Sequence, residues 1–110
     1  MFSTTHERGM IYVLAVPGPI EDVEEVRVLE WHGTAGQQYK PGDLIVELET
    51  HKAVVEVRAG QAGILRRILC EASVWEKAGG LLAVLSDTPD EAMPASWDGL
   101  RQCEVAFEIT

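Results

Sequence analysis

The chain has 110 residues and a mass of 12.1 kDa, the size of one small domain, so a large enzyme or a long repeat array is excluded. With 46% hydrophobic and 25% charged residues and a mean hydropathy of +0.01, the composition is that of an ordinary globular protein. Nine basic residues against eighteen acidic ones give a net charge of −9, which works against a nucleic-acid backbone or an anionic membrane and leaves proteins and small molecules as partners. The tail is the more acidic part, because residues 87–110 hold six acids and only one base, Arg101.

Residues 1–9 carry no apolar stretch of the signal-peptide kind and read as a flexible segment. No run approaches the ~20 apolar residues of a membrane span, so a soluble, cytoplasmic protein is expected. Two cysteines, Cys70 and Cys103, suit neither a disulfide scaffold nor a metal spacing and are read as buried thiols in a reducing compartment.

Met10 to Val16 is a short apolar run stopped by Pro17-Gly18-Pro19, and it reads as a strand. Val26 to Trp31 is β-branched and aromatic in character and closes at Gly33 and Gly36. Lys40-Pro41-Gly42-Asp43 has turn chemistry, and Leu44 to Glu49 follows with a partial period of two. Val54 to Arg58 alternates again, Ile64 to Cys70 follows Gly60 and Gly63, and Leu81 to Leu85 follows Gly79-Gly80. The best helix candidate, Glu71 to Ala78, is short and poorly capped. The fold class expected is all-β. The stretch Gly42 to Glu49 is echoed by Gly79 to Ser86 thirty-seven residues later, which suggests two similar halves packed as facing sheets.

A two-residue loop at His51-Lys52 would pair Leu48 with Val55 and Val46 with Val57 on one face, and Glu49 with Val54 and Glu47 with Glu56 on the other. The apolar pairs then point inward together, and a slip of one residue destroys the match. Two features are poor for stability. The tip has no Gly, Asn or Asp, and Glu47 opposite Glu56 sets like charges across the sheet. Such local violations are expected where function constrains a sequence, and here they surround a primary amine, Lys52, in a chain with only three lysines.

Glu49-Thr50-His51-Lys52-Ala53, with Lys52 ten residues after Gly42 of Gly42-Asp43, resembles the lipoyl-attachment motif of the lipoyl domains of 2-oxo acid dehydrogenase complexes. The resemblance runs from about Tyr12 to Asp87. It takes in Val16-Pro17-Gly18-Pro19 and the acidic stretch after it, Val28-Leu29-Glu30-Trp31 with Gly36, and, beyond the lysine, Gly63, Ile68, Gly79 and Leu82 to Leu85. The sequence departs from the family in having His51 where Asp usually precedes the lysine, Gln37 in place of an Asp in the first glycine turn, and Ser73-Val74 where Gly-Asp is usual.

The resemblance implies a barrel-sandwich hybrid of two antiparallel sheets of about four strands each, related by pseudo-two-fold symmetry, with the attachment lysine at a hairpin tip. It implies lipoic acid in amide linkage to Lys52, with Glu49, Thr50, His51 and Ala53 as recognition surroundings. It implies a non-catalytic carrier, in which the cofactor supplies the chemistry and the domain presents it. The partners implied are a lipoate ligase or lipoyl transferase, a thiamine-dependent 2-oxo acid dehydrogenase, a dihydrolipoyl acyltransferase and a dihydrolipoyl dehydrogenase. The alternatives are a biotin carrier, whose lysine is usually flanked by methionines, and an unmodified interaction module of the same architecture.

Nothing else in the sequence points to chemistry. His6, His32 and His51 lack metal-ligand spacing, no nucleophile elbow frames a serine, and Trp31 and Trp75 read as packing residues. The expected organisation is a flexible segment over 1–9, a lipoyl-type domain over 10–87, and an acidic connector over 88–110. Within that connector Glu104 to Ile109 alternates and could form an extra edge strand along the barrel or against another chain.

Overall fold

A computed structural model describes residues 10–16 and 23–110, so the proline turn and the first nine residues lie outside the described part. Among these residues ten strands make two five-stranded sheets. In the first, β3 (Gln38–Tyr39), β6 (Gly63–Ile68), β8 (Leu81–Ser86), β1 (Ile11–Ala15) and β9 (Arg101–Gln102) lie side by side in that order. In the second the order is β7 (Trp75–Lys77), β2 (Glu25–Trp31), β4 (Leu44–Glu49), β5 (Val54–Ala59) and β10 (Val105–Ile109). No helix occurs among the described residues, and Glu71 to Ala78 contributes a bend and the edge strand β7 instead.

The two sheets are the barrel-sandwich hybrid expected, and their symmetry is visible in reciprocal hydrogen bonds. Gly36 N–H donates to the Leu65 carbonyl and Ser73 N–H to the Val28 carbonyl, both at 2.7 Å. Leu65 N–H donates to the Gln37 carbonyl and Val28 N–H to the Val74 carbonyl, at 2.9 and 3.2 Å. Adding the thirty-seven-residue offset seen in the sequence turns the first half's partners in each pair into the second half's. These bonds tie each sheet to a turn by which the chain arrives from the other, and so close the sandwich at its corners.

The core lies between the sheets and is almost wholly aliphatic. Leu14, Val28, Leu48, Val57, Leu65 and Leu82 are completely buried. β5 alternates strictly between buried and half-buried positions, as a strand with one face on a core must. β4 breaks the alternation, with Ile45 and Val46 both buried, because a bulge between Leu44 and Val46 inserts an extra residue. A matching irregularity between Val28 and Glu30 turns Leu29 out to solvent. Cys70 and Cys103 are free and buried; burial first, and the neighbouring Glu104 second, push the Cys103 thiol up to about 11.

Each sheet gains its fifth strand from the tail. β9 runs parallel to β1, which the all-antiparallel expectation did not include, and Cys103 N–H bonds to the Val13 carbonyl at 2.7 Å. The chain then crosses to the other sheet, where β10 pairs antiparallel with β5 from Val105 opposite Ala59 to Ile109 opposite Val55. Gly60 permits this crossing, since a Cβ there would sit 2.9 Å from the Glu104 carbonyl oxygen.

Ser73 holds φ at +73°, the left-handed region, at the position where the other half has Gly36 with φ +98°. A non-glycine residue there costs about 1–2 kcal/mol, of which the larger unfolded-state entropy of glycine would take back about 0.5–1 kcal/mol. Ser73→Gly is therefore expected to stabilise the domain by roughly 0.5–1 kcal/mol in urea unfolding, an unusual sign for a substitution to glycine.

Candidate functional site

The β4–β5 hairpin has the register expected from its apolar residues: Leu48 opposite Val55, Val46 opposite Val57, Glu49 opposite Val54 and Glu47 opposite Glu56. It places Lys52 at the tip, exposed, next to an exposed His51. Ser73 is the one non-glycine residue with positive φ among those described, so the tip is not a primed turn and needs no glycine.

Thr50 replaces that requirement. Its side chain is buried at 5% exposure inside the turn, and its hydroxyl oxygen accepts from the N–H groups of Lys52 at 3.0 Å and Ala53 at 2.9 Å. The hydroxyl donates to the Ala53 carbonyl at 3.2 Å, and Thr50 N–H bonds the same carbonyl at 2.8 Å. The backbone on which Lys52 stands is thus held from within by one threonine, while the aminoalkyl chain projects freely. Thr50 shapes the tip and does not offer a contact surface.

Glu49 is engaged to one side. Arg27, its cross-strand neighbour, forms an ion pair with it, with Nε 3.1 Å from Oε1, and the same guanidinium lies over the Trp75 ring at 5.5 Å from its centroid. Trp75 is therefore a 47% exposed platform rather than the packing residue its type suggested, whereas Trp31 packs against the core and donates from Nε1 to the Cys70 carbonyl at 2.9 Å. Beside the tip, Glu24, Glu25, His51 and Trp75 line an open cleft of about 300 Å³ with an acidic rim.

The like charges of Glu47 and Glu56 each have a side-chain partner. His32 Nε2 lies 2.8 Å from Glu47, and Arg58 lies 3.0 Å from Glu56 and 3.6 Å from Glu108. His32 has no metal-ligand spacing in the sequence, but the bulged β2–β4 pairing brings ligand atoms of Glu30, His32 and Glu47 within 4.8 Å of one another. His6 lies outside the described residues.

Residues 12–85 match the protein-family model Biotin_lipoyl, described as "Biotin-requiring enzyme", which covers well over half of the chain. The chain belongs to the biotin/lipoyl attachment family. Its homologues are lipoyl domains of 2-oxo acid dehydrogenase acyltransferases. It is 35% identical over 72 residues to the dihydrolipoyllysine-residue succinyltransferase component of the 2-oxoglutarate dehydrogenase complex of Staphylococcus saprophyticus, covering 66% of this chain and 17% of that protein. With the acetyltransferase component of the pyruvate dehydrogenase complex of Rhizobium meliloti it shares 31% identity over 87 residues, 78% of this chain and 20% of the relative. The chain thus spans about a fifth of the length of these relatives. The solution structure of the lipoyl domain of the Azotobacter vinelandii 2-oxoglutarate dehydrogenase complex superposes with a TM-score of 0.58 at 31% identity, covering 67% of this chain and 94% of that domain. β9 and β10 lie beyond the residues that the family model matches.

Thr50→Val keeps the shape of the side chain and removes its hydroxyl, leaving two tip N–H groups without their acceptor. A loss of about 1–2 kcal/mol in stability is expected, with amide exchange at Lys52 and Ala53 accelerated well beyond that at Val55 and Val57.

Proposed function

We propose that Lys52 is the attachment site of lipoic acid, held in amide linkage to its Nζ, and that the chain is a carrier domain of a 2-oxo acid dehydrogenase-type complex. The observation that carries this reading is the tip itself: an exposed lysine on a backbone fixed by Thr50, at the end of a hairpin whose inner face is fully buried. The names of the relatives, which include a dihydrolipoyllysine residue, support the same choice of group. His51 and Ala53 flank the lysine where a family of biotin carriers would usually have methionine, and this favours lipoic acid over biotin.

When attached, the dithiolane supplies the acyl- and electron-carrying chemistry. The protein's share is positional. The hairpin lifts the amine clear of both sheets, so that a long arm attached there reaches into a partner's active site while the domain stays outside. Thr50 holds the turn, Arg27 holds Glu49 to one side, and His51 with the acidic cleft beside it forms the surface that a lipoate ligase or lipoyl transferase and a thiamine-dependent 2-oxo acid dehydrogenase would read. Acyl transfer and reoxidation fall to a dihydrolipoyl acyltransferase and a dihydrolipoyl dehydrogenase, and tethering to them would raise the local concentration of the arm to the millimolar range, about that of a short flexible linkage. Residues 10–87 form the carrier unit in this reading, and 88–110 are an appended segment that adds an edge strand to each sheet.

The test is the intact mass of the chain co-expressed with a lipoate ligase in the presence of lipoic acid, beside Lys52→Arg. One lipoyl amide is expected on the parent chain and none on the variant. An unmodified but folded parent, or a gain only with a biotin ligase and biotin, would overturn the assignment.

A further inference from the structure

The four sheet edges are unequal. β3, β7 and β9 are edge strands of two, three and two residues, whereas β10 offers five. Short edges are one device by which folded chains avoid pairing with one another, and lysine or proline on the edge is another. β10, with the sequence VAFEI, has neither.

The hydrogen-bond alternation shows what this edge presents. Thr110 and Val54 exchange both backbone bonds, at 2.8 and 3.3 Å, and Gly60 N–H donates to the Glu104 carbonyl. Every second residue, Glu104, Ala106, Glu108 and Thr110, therefore turns its backbone groups toward β5, and Val105, Phe107 and Ile109 turn theirs away from the sheet. The same three residues lie opposite the buried Ala59, Val57 and Val55, so their side chains share the inner face, yet Phe107 is 41% and Ile109 56% exposed. Backbone bonding capacity and apolar surface are left unpartnered together on one strand, among the described residues.

We propose that β10 pairs antiparallel with β10 of a second copy of this chain, about a two-fold axis through Phe107. In that register Phe107 faces the partner's Phe107 and Val105 faces the partner's Ile109, and each such pair can exchange two backbone hydrogen bonds through the groups that point outward. Charge selects it over its neighbours. Shifting one way sets Glu104 against the partner's Glu108, and shifting the other way sets Glu108 against the partner's Glu108, both unfavourable. In the Phe107-centred register Glu108 faces the partner's Ala106, and Glu104 faces the partner's Thr110.

The outer face of the sheet supplies a second complementarity. Glu30, Glu47, Glu56 and Glu108 stand in one cross-strand row over β2, β4, β5 and β10. Because Ala106 pairs with Arg58 within each copy, the row would continue over the small partner's Ala106 to the partner's Arg58, a cation at the end of four carboxylates. The contact is isologous and closes on itself. Since β10 runs toward the hairpin tip, the two copies of Lys52 would point to opposite ends of the pair, each free to be modified. One strand pair and three apolar side chains per copy make a small interface, so the association depends on concentration.

Sedimentation velocity of the unmodified chain over a rising concentration series tests this. The mass is expected to climb from 12.1 kDa toward twice that value. Phe107→Lys and Phe107→Glu, checked for retained β structure by circular dichroism, are each expected to stay at the mass of one chain, because like charges would meet on the axis. Mixed in equal amounts they are expected to recover the two-chain mass, an outcome specific to a residue that faces its own copy. A parent chain that stays at 12.1 kDa, a pair that survives in either variant, or a mixture no heavier than its components overturns the proposal.

Discussion

The structure depends on the register of one hairpin. Val46, Leu48, Val55 and Val57 are completely buried as two cross-strand pairs, and at about 1.5–3 kcal/mol for each side chain taken out of water their burial dominates the local energetics. The opposing cost, Glu47 facing Glu56, is about 1 kcal/mol or less before the His32 hydrogen bond to Glu47 and the Arg58 ion pair with Glu56 offset it. The apolar pairs therefore decide the register, and the carboxylates take His32 and Arg58 as their partners. Once the register is set, Thr50 must fall inside the turn and Lys52 at its apex.

A carrier places two demands on its attachment point that pull in opposite directions. The lysine must be free to move, and its position must be known to several partner proteins. This chain separates the two by atom: the backbone of the tip is held by the Thr50 hydroxyl, and only the side chain beyond it is unconstrained. The groups around it are ordered in turn, with Glu49 held by Arg27 and Arg27 resting over Trp75. In the proposed function a ligase or dehydrogenase would therefore meet the same surface each time.

The long strands were legible in the sequence because period-two alternation and glycine punctuation record local geometry. Leu44 to Glu49 and the hairpin register could be read residue by residue for that reason. β3, β7 and β9 could not, because strands of two or three residues exist only through the neighbours they pair with. Glu71 to Ala78 had some helical character locally and was overridden by pairing with β2. The same limit applied at the site. The hydroxyl of Thr50 and the amine of Lys52 stood two residues apart in the sequence, but the approach of His32 to Glu47 came with a bulge at Leu29 that no local signal announced, and the exposure of Trp75 followed from its place on a sheet edge.

In the proposed function Lys52 presents a group on which another enzyme acts. The direct measurement is the mass of the lipoylated chain after incubation with a thiamine-dependent dehydrogenase, its cofactor and either pyruvate or 2-oxoglutarate. The gain of one acyl group is expected, dependent on the 2-oxo acid and absent from the unmodified chain. A lipoylated, folded chain that gains no acyl group with either dehydrogenase would contradict it.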